Sequence, residues 1–147
     1  MSLLQAIPRF TRRAVRRPEA VRFGAFAWLA APTVALALAT LGFEQTLRTI
    51  ERLPQSRPRR AGALGLDEAV AAVAWAFRLH IGLRGQCLER ALVQYALHRL
   101  DGVPAQLVIG VRREHDRGVN AHAWVEVPGA APRGEYEPLL TRQVVSR

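Results

Sequence analysis

Residues 87–97 of the chain read CLERALVQYAL and open on its one cysteine, Cys87. Apolar positions recur in this run at helical spacing, so it predicts a helix over residues 86–100. Apolar residues fall on two stripes of that helix, one of them through Ala91 and Tyr95, which predicts that neighbours cover it on most sides. Gly82 and Gly85 stand just before it and predict a tight turn that leaves the N–H groups of the helix start open to a ligand.

Two predicted strands follow this helix. A Gly-Val-Pro turn at 102–104 leads into QLVIGVR at 106–112, and AHAWVEV stands at 121–127. Both runs alternate and are rich in strand-forming residues. Together with the helix they predict an α+β fold, in which a central helix bearing the cysteine packs on a small antiparallel sheet.

A cysteine at a helix start and a histidine on a strand form a candidate nucleophilic site. The partial positive charge and free N–H groups of a helix start favour the thiolate, which is the nucleophilic form. A strand can hold the His122 imidazole rigidly, where it can take the thiol proton and return it to a leaving group. From these residues alone, a buried structural thiol and a core histidine stay open as alternatives. His80 and His98 lie in predicted helices, and His115 lies in a charged loop.

Three motifs of the second half carry a resemblance to a known family. They are Cys-Leu-x-Arg-Ala-Leu at 87–92, Gly-Val-Pro-Ala-x-Leu-Val-Ile-Gly-Val-Arg-Arg at 102–113 and Ala-His-Ala-Trp-Val-Glu-Val at 121–127. In these motifs the chain resembles the lasso peptide biosynthesis B2 proteins, which are stand-alone leader peptidases of the transglutaminase-like cysteine protease superfamily. The resemblance covers residues 65–137 in specific motifs and extends more loosely to the apolar N-terminal third.

The resemblance implies a cysteine peptidase that removes the leader from a lasso peptide precursor. Cys87 would be the nucleophile and His122 the base, acting through a thioester acyl-enzyme with no metal and no other cofactor. The implied partners are the precursor peptide, a small separate leader-recognition protein and an ATP-dependent lasso cyclase that receives the freed core. Acyl transfer to an amine instead of water would use the same residues.

The third member of the site departs from the family pattern, which has an acid about a dozen residues beyond the histidine, usually an aspartate. None of the three aspartates follows His122. Glu135 stands near that position and is our prediction for the residue that orients the imidazole. Glu137 is the reserve, and the loop with Asp116 is less favoured. Glu126 shares a strand with His122 but lies roughly 13 Å along it at about 3.3 Å per residue, too far for contact.

Two further residues are candidates for the surroundings of the site. The backbone N–H of Cys87 is the natural donor to the oxyanion of the reaction, and the Gln86 side chain is a second candidate donor. Trp124 alternates onto the strand face of His122 and would form a wall of the site. Plain core packing is an equally good interpretation of this tryptophan.

The N-terminal third is basic and then apolar. Six arginines and one glutamate stand in residues 1–22, and residues 23–43 have no charge. That length meets the criterion for a membrane-spanning helix. Pro32 in its middle and its alanine-rich composition instead favour a helix pair broken at Pro32 and either buried or covered by a partner. Membrane association stays open but is not favoured.

The expected organisation has two parts, an N-terminal apolar helical segment at 1–60 and a transglutaminase-like peptidase core at 61–147. The first part contains a helix at 43–53 that ends at Pro54. A linker with arginines at 57, 59 and 60 follows it. Asp67 is the predicted N-cap of the next helix, which runs through about His80.

The net charge of +9 is carried by arginine alone, because the chain has no lysine. No zinc-finger, recognition-helix or RNA-binding motif accompanies it, so an acidic peptide is a more economical partner than nucleic acid. A single cysteine allows no intramolecular disulfide and is compatible with the cytoplasm, the expected location. The alternative function is a transglutaminase-like scaffold that binds a peptide without cutting it, in solution or at a membrane.

Overall fold

The computed structural model describes residues 18–55, 64–80, 82–83, 86–114, 118–129 and 136–143. These residues form three helices and one sheet, which confirms the predicted α+β class. The helices are α1 (Pro18–Glu51), α2 (Leu66–Leu79) and α3 (Cys87–Leu100). The strands are β1 (Gln106–Glu114), β2 (Gly118–Glu126) and β3 (Glu137–Gln143).

The described sheet is antiparallel, with β1 between β2 and β3. Gly110 in the middle of β1 pairs with His122 on β2 and with Pro138 on β3. The β1–β3 register shifts between Ile109 and Gly110. His122 therefore sits in the middle of a strand at the edge of the described sheet.

Helix α3 is the most enclosed element of the described chain. All eight residues from Ala91 to His98 are buried, as the two apolar stripes predict. The helix packs on α1, on α2 and on one face of the sheet. A single core joins these elements, so α1 shares it with the part predicted to begin at residue 61. The core includes Phe23, Ala27, Ala31 and Leu47 of α1, Val73 and Phe77 of α2, Leu92 and Tyr95 of α3, and Leu107 and Val125 of the sheet.

Helix α1 continues through Pro32, so the predicted break at Pro32 is wrong. Proline has no N–H, which deprives the Trp28 carbonyl of its donor within the helix. His80, at the end of α2, takes over that role: its Nε2 lies 2.7 Å from the Trp28 oxygen. The His80 ring also stacks on the Trp28 indole, with centroids 4.9 Å apart. The break lies instead at Gly42, whose backbone is not helical (φ +76°, ψ 176°), so α1 consists of two helical parts that meet at a kink there. Glycine adopts this conformation without a Cβ penalty.

The predicted start of α2 is also wrong, by two residues. The helix begins at Leu66 with Gly65 as its N-cap, and Asp67 lies in its first turn beside Glu68. Acidic side chains there still interact favourably with the positive end of the helix. The helix predicted at 43–53 is the last part of α1, which ends at Glu51. The linker arginines at 57, 59 and 60 lie outside the described residues.

The contact between His80 and the Trp28 carbonyl predicts a specific coupling with Pro32. His80→Ala should lower the free energy of unfolding by about 1 kcal/mol, because the carbonyl loses its donor. Pro32→Ala restores an N–H to the helix, so His80→Ala should cost clearly less in that background. Urea denaturation of the wild type, both single variants and the double variant measures this coupling. Equal costs of His80→Ala in both backgrounds would contradict it.

Buried His98 predicts a loss of stability in acid. Its side chain is 2% exposed and contacts the Phe23 ring at 5.6 Å. Burial lowers its pKa from 6.5 to about 4, and nearby Asp101 opposes that shift only in part. Between these values the unfolded chain binds the proton and the folded chain does not, so stability rises with pH. Above pH 6.5 His98 is neutral in both the folded and the unfolded chain, and it does not lower the free energy of unfolding. As pH falls from 6.5 towards 4, the free energy of unfolding decreases by about 3 kcal/mol at most.

Urea midpoints measured from pH 7.5 to pH 4 should show this decline in the wild type. His98→Gln removes the titrating group, so its profile should be flatter over the same range even if the variant is less stable throughout. Parallel profiles for the two proteins would contradict the assignment to His98.

Candidate active site

Cys87 is the first residue of α3, as the sequence predicts. Gln86 before it is the exposed N-cap residue, and its carbonyl accepts the first helical hydrogen bond, from Arg90 N at 3.1 Å. The N–H groups of the first turn have no acceptor within the helix, and they point out of its start. Cys87 is partly buried and packs at the border of the core. The thiol therefore stands beside backbone donors on a helix that cannot easily move.

Glu89 fixes the way in which the chain enters α3. Its carboxylate accepts the backbone N–H of Gln86 at 3.1 Å, the hydrogen bond of a capping box. Because the Gln86 N–H is engaged in this bond, the Cys87 N–H is the first backbone donor of the helix start that can bind an anion. The spacing Gln86-x-x-Glu89 is the sequence signal that could have revealed this role.

His122 lies among aromatic rings on the sheet. Its imidazole is 6.0 Å from the Trp124 ring, with an angle of 20° between the planes, and 5.3 Å from the Tyr136 ring. Trp124 and Tyr136 are 5.7 Å apart. The guanidinium of Arg112 lies over the Tyr136 ring at 5.2 Å, in a cation–π contact. His122, Trp124 and Tyr136 form what we call the aromatic cluster.

Trp124 is held from two sides. Its indole N–H donates to the Glu126 carboxylate at 2.8 Å, so Glu126 orients the tryptophan. Its ring crosses β1 at Gly110, where a Cβ atom would lie 2.7 Å from the ring carbon Cη2. The ring needs a glycine beneath it. The predicted position of Trp124 on the face of His122 is thus confirmed, and the ring contacts that histidine.

The aromatic cluster and the core lie on different faces of β2. Ala123 and Val125 belong to the core that encloses α3, and the alternating residues His122 and Trp124 face the other way. Cys87 borders the core. Within the described part of the chain, Cys87 makes no hydrogen bond to His122. The structure thus confirms the element on which each residue stands, while a thiol–imidazole pair stays a prediction.

The acids considered for the third position are described only in part. Glu135 and Asp116 lie outside the described residues. Glu137 is exposed at the first position of β3, opposite Val111. Tyr136, between the two glutamates, is the neighbour of His122 that sequence reasoning missed. An aromatic residue beside the predicted acid was the available signal.

The chain matches the family model described as the transglutaminase-like superfamily over residues 27–145. The match covers most of the chain and includes Cys87, His122 and the aromatic cluster. The chain therefore belongs to the transglutaminase-like superfamily, which includes cysteine peptidases. No curated protein and no solved structure matches it. The family match begins within α1, before the domain boundary predicted at residue 60.

The close approach of Trp124 to Gly110 predicts the effect of one methyl group. In Gly110→Ala the Cβ atom would also lie 3.0 Å from the Glu137 carbonyl oxygen, and backbone cannot move aside as a side chain can. We expect a loss of about 1–3 kcal/mol in the free energy of unfolding, with a changed near-ultraviolet circular dichroism as Trp124 shifts.

Gly24→Ala is the matched control for that variant. It lies inside α1, and its Cβ would meet Trp75 at an ordinary 3.9 Å. Alanine is the better helix former, so this change should be neutral or stabilising by up to about 1 kcal/mol. Effects of the same sign and size at both glycines would contradict the role given to Gly110.

Proposed function

We propose that this protein is a cysteine peptidase that removes the leader peptide from a lasso peptide precursor. It acts with a separate leader-recognition protein, in the cytoplasm. The observation that carries the proposal is the single Cys87 at the start of a buried helix, in a chain of the transglutaminase-like superfamily. The motifs around Cys87, Gly102 and His122 support the narrower assignment to leader removal.

In the first half of the reaction, His122 takes the proton of the Cys87 thiol and the thiolate attacks the carbonyl carbon at the end of the leader. A C–S bond forms and the carbonyl oxygen becomes negative. The Cys87 N–H donates to this oxygen, and the Gln86 side chain is the proposed second donor. The C–N bond then breaks, His122 gives its proton to the leaving nitrogen, and the core departs with a free amine.

In the second half, the leader remains on Cys87 as a thioester. His122 takes a proton from water, whose oxygen attacks the thioester carbon. The C–S bond breaks, His122 returns its proton to the Cys87 thiolate, and the leader leaves as a carboxylic acid. Atoms and electrons balance without a metal, an oxidant or a nucleotide.

This mechanism requires the thiol and the imidazole to approach within hydrogen-bond distance in the complex with substrate. Catalytic hydrogen bonds are often long in free enzymes and shorten when substrate binds. His122 lies on the face of β2 that is turned away from the core bordered by Cys87, so the approach also requires β2, at the edge of the described sheet, to move. The acid proposed to orient the His122 imidazole is Glu135, with Glu137 in reserve. If neither glutamate has this role, the site is a dyad of Cys87 and His122.

Recognition is divided between two proteins in this proposal. The partner holds most of the leader, and the present chain reads a few residues around the cut. The released core then passes to an ATP-dependent cyclase. The net charge of +9 favours an acidic peptide at this stage, through attraction over about a Debye length.

The test is cleavage of a precursor peptide by the purified chain with its recognition partner, followed by mass spectrometry. Cys87→Ala should abolish cleavage while circular dichroism stays unchanged, because only the nucleophile is lost. His122→Ala should reduce the rate by at least about 100-fold, the scale of general base catalysis. His80→Ala is the matched histidine control and should retain cleavage. Full activity of Cys87→Ala would contradict the mechanism.

The alternative is a scaffold that binds the peptide and does not cut it. The position of His122 on the face of β2 that is turned away from the core bordered by Cys87 favours this alternative. A wild-type protein that binds precursor and partner, but never gives a cleaved product or a thioester, would establish it. Adding a small amine to an active reaction separates hydrolysis from acyl transfer, because transfer would yield the leader amide.

A further inference from the structure

Helix α1 has one buried face and one exposed apolar face. The buried face, with Phe23, Ala27 and Ala31, packs in the core. Only 17% of the most apolar 18-residue window of the helix is buried. The exposed face carries large side chains that are 43–64% exposed, and no charge occurs in residues 23–43. What we call the apolar face consists of Phe26, Trp28, Leu29 and Leu36.

Polar groups beside this face are satisfied inside the protein. The exposed hydroxyls of Thr33 and Thr40 donate to the Leu29 and Leu36 carbonyls, at 3.4 Å and 2.8 Å. The Trp28 carbonyl, which Pro32 leaves without its usual donor, receives His80. Water or a protein partner would supply such bonds across an interface, whereas hydrocarbon cannot. Thr46 and Thr49 make the same bond beyond the apolar face, so this pairing is compatible with an apolar lipid phase but does not by itself select one.

Charge at the ends of the face favours an anionic lipid surface. Arg22 stands before the apolar face and pairs with Asp101 at 3.2 Å, and Arg48 and Arg52 follow the face. The exposed acids Glu19 and Glu44 stand at the same two ends, so the basic excess comes from the arginines that precede the helix. Five more arginines stand in residues 9–17 of the sequence. Basic residues next to an apolar segment gain about 1 kcal/mol each near anionic headgroups. Trp28 adds a side chain that suits the boundary between water and lipid.

We propose that α1 lies flat on an anionic lipid bilayer, with its apolar face in the headgroup–acyl boundary. By length and composition the helix could cross a membrane, since residues 23–41, before the kink at Gly42, span roughly 28 Å at about 1.5 Å each. If α1 crossed the bilayer, however, its buried face would have to separate from α2 and α3, and that part of the core would be exposed. A flat orientation leaves it intact. The proposal does not depend on the peptidase activity.

The test is flotation of the purified full-length chain with vesicles of phosphatidylcholine, alone or mixed with phosphatidylglycerol. Binding should be strong to the mixed vesicles, weak to phosphatidylcholine alone, and reduced by salt. Leu29→Glu with Leu36→Glu should weaken binding at least 10-fold. The control is Val119→Glu with Leu139→Glu, which makes the same charge change on exposed apolar residues of the sheet, away from α1. This control should keep most of the binding, as should Cys87→Ala.

Several outcomes would overturn the proposal. One is that the wild type does not bind the mixed vesicles, and another is that the two double glutamate variants lose vesicle binding to the same extent. A third is that bound protein resists alkaline carbonate extraction, which would mean that the helix spans the membrane. The wild type could instead fail to bind vesicles and form a dimer that the Leu29 and Leu36 substitutions dissociate. That result would show that a second copy of the chain covers the apolar face.

Discussion

Residues 91–98 of α3 are buried without interruption, and the places of the other elements follow from the need to cover them. One side is covered by α1 and α2, and another by the core face of the sheet. A helix enclosed in this way cannot rotate or slide without breaking the core. Its first residue is Cys87, so the same packing that stabilises the fold also fixes the thiol at a helix start. Rigid support of this kind is what a nucleophile requires.

The contact of His80 with Trp28 links the apolar N-terminal helix to the rest of the molecule. It compensates for Pro32, and it does so from the end of α2, seven residues before Cys87. The position of α1 is therefore tied to the start of the segment that leads into the nucleophile. This arrangement explains how the helix can continue through Pro32 and share the core of the domain, with its kink at Gly42 instead.

Local patterns were sufficient to predict the sheet, the central helix and the positions of Cys87 and His122 on them. They were misleading where tertiary contacts decide the outcome. Pro32 is a helix breaker only if nothing replaces the lost bond, and the replacement comes from His80, 48 residues further on. Asp67 is a good N-cap by type, but the register of α2 is set by buried Ala69, Val73 and Ala76. Gly110 and Tyr136 act through contacts between neighbouring strands, which no local spacing rule encodes. The role of Glu89, by contrast, was readable from the spacing Gln86-x-x-Glu89.

The joint action of Cys87 and His122 can be measured as the pH dependence of Cys87 alkylation by iodoacetamide. With one cysteine in the chain, a single mass shift reports this residue alone. A thiol activated by an imidazole should label rapidly and keep labelling below neutral pH, and His122→Ala should remove that acidic limb while His80→Ala keeps it. Identical slow profiles in the wild type and both variants would contradict a Cys87–His122 site.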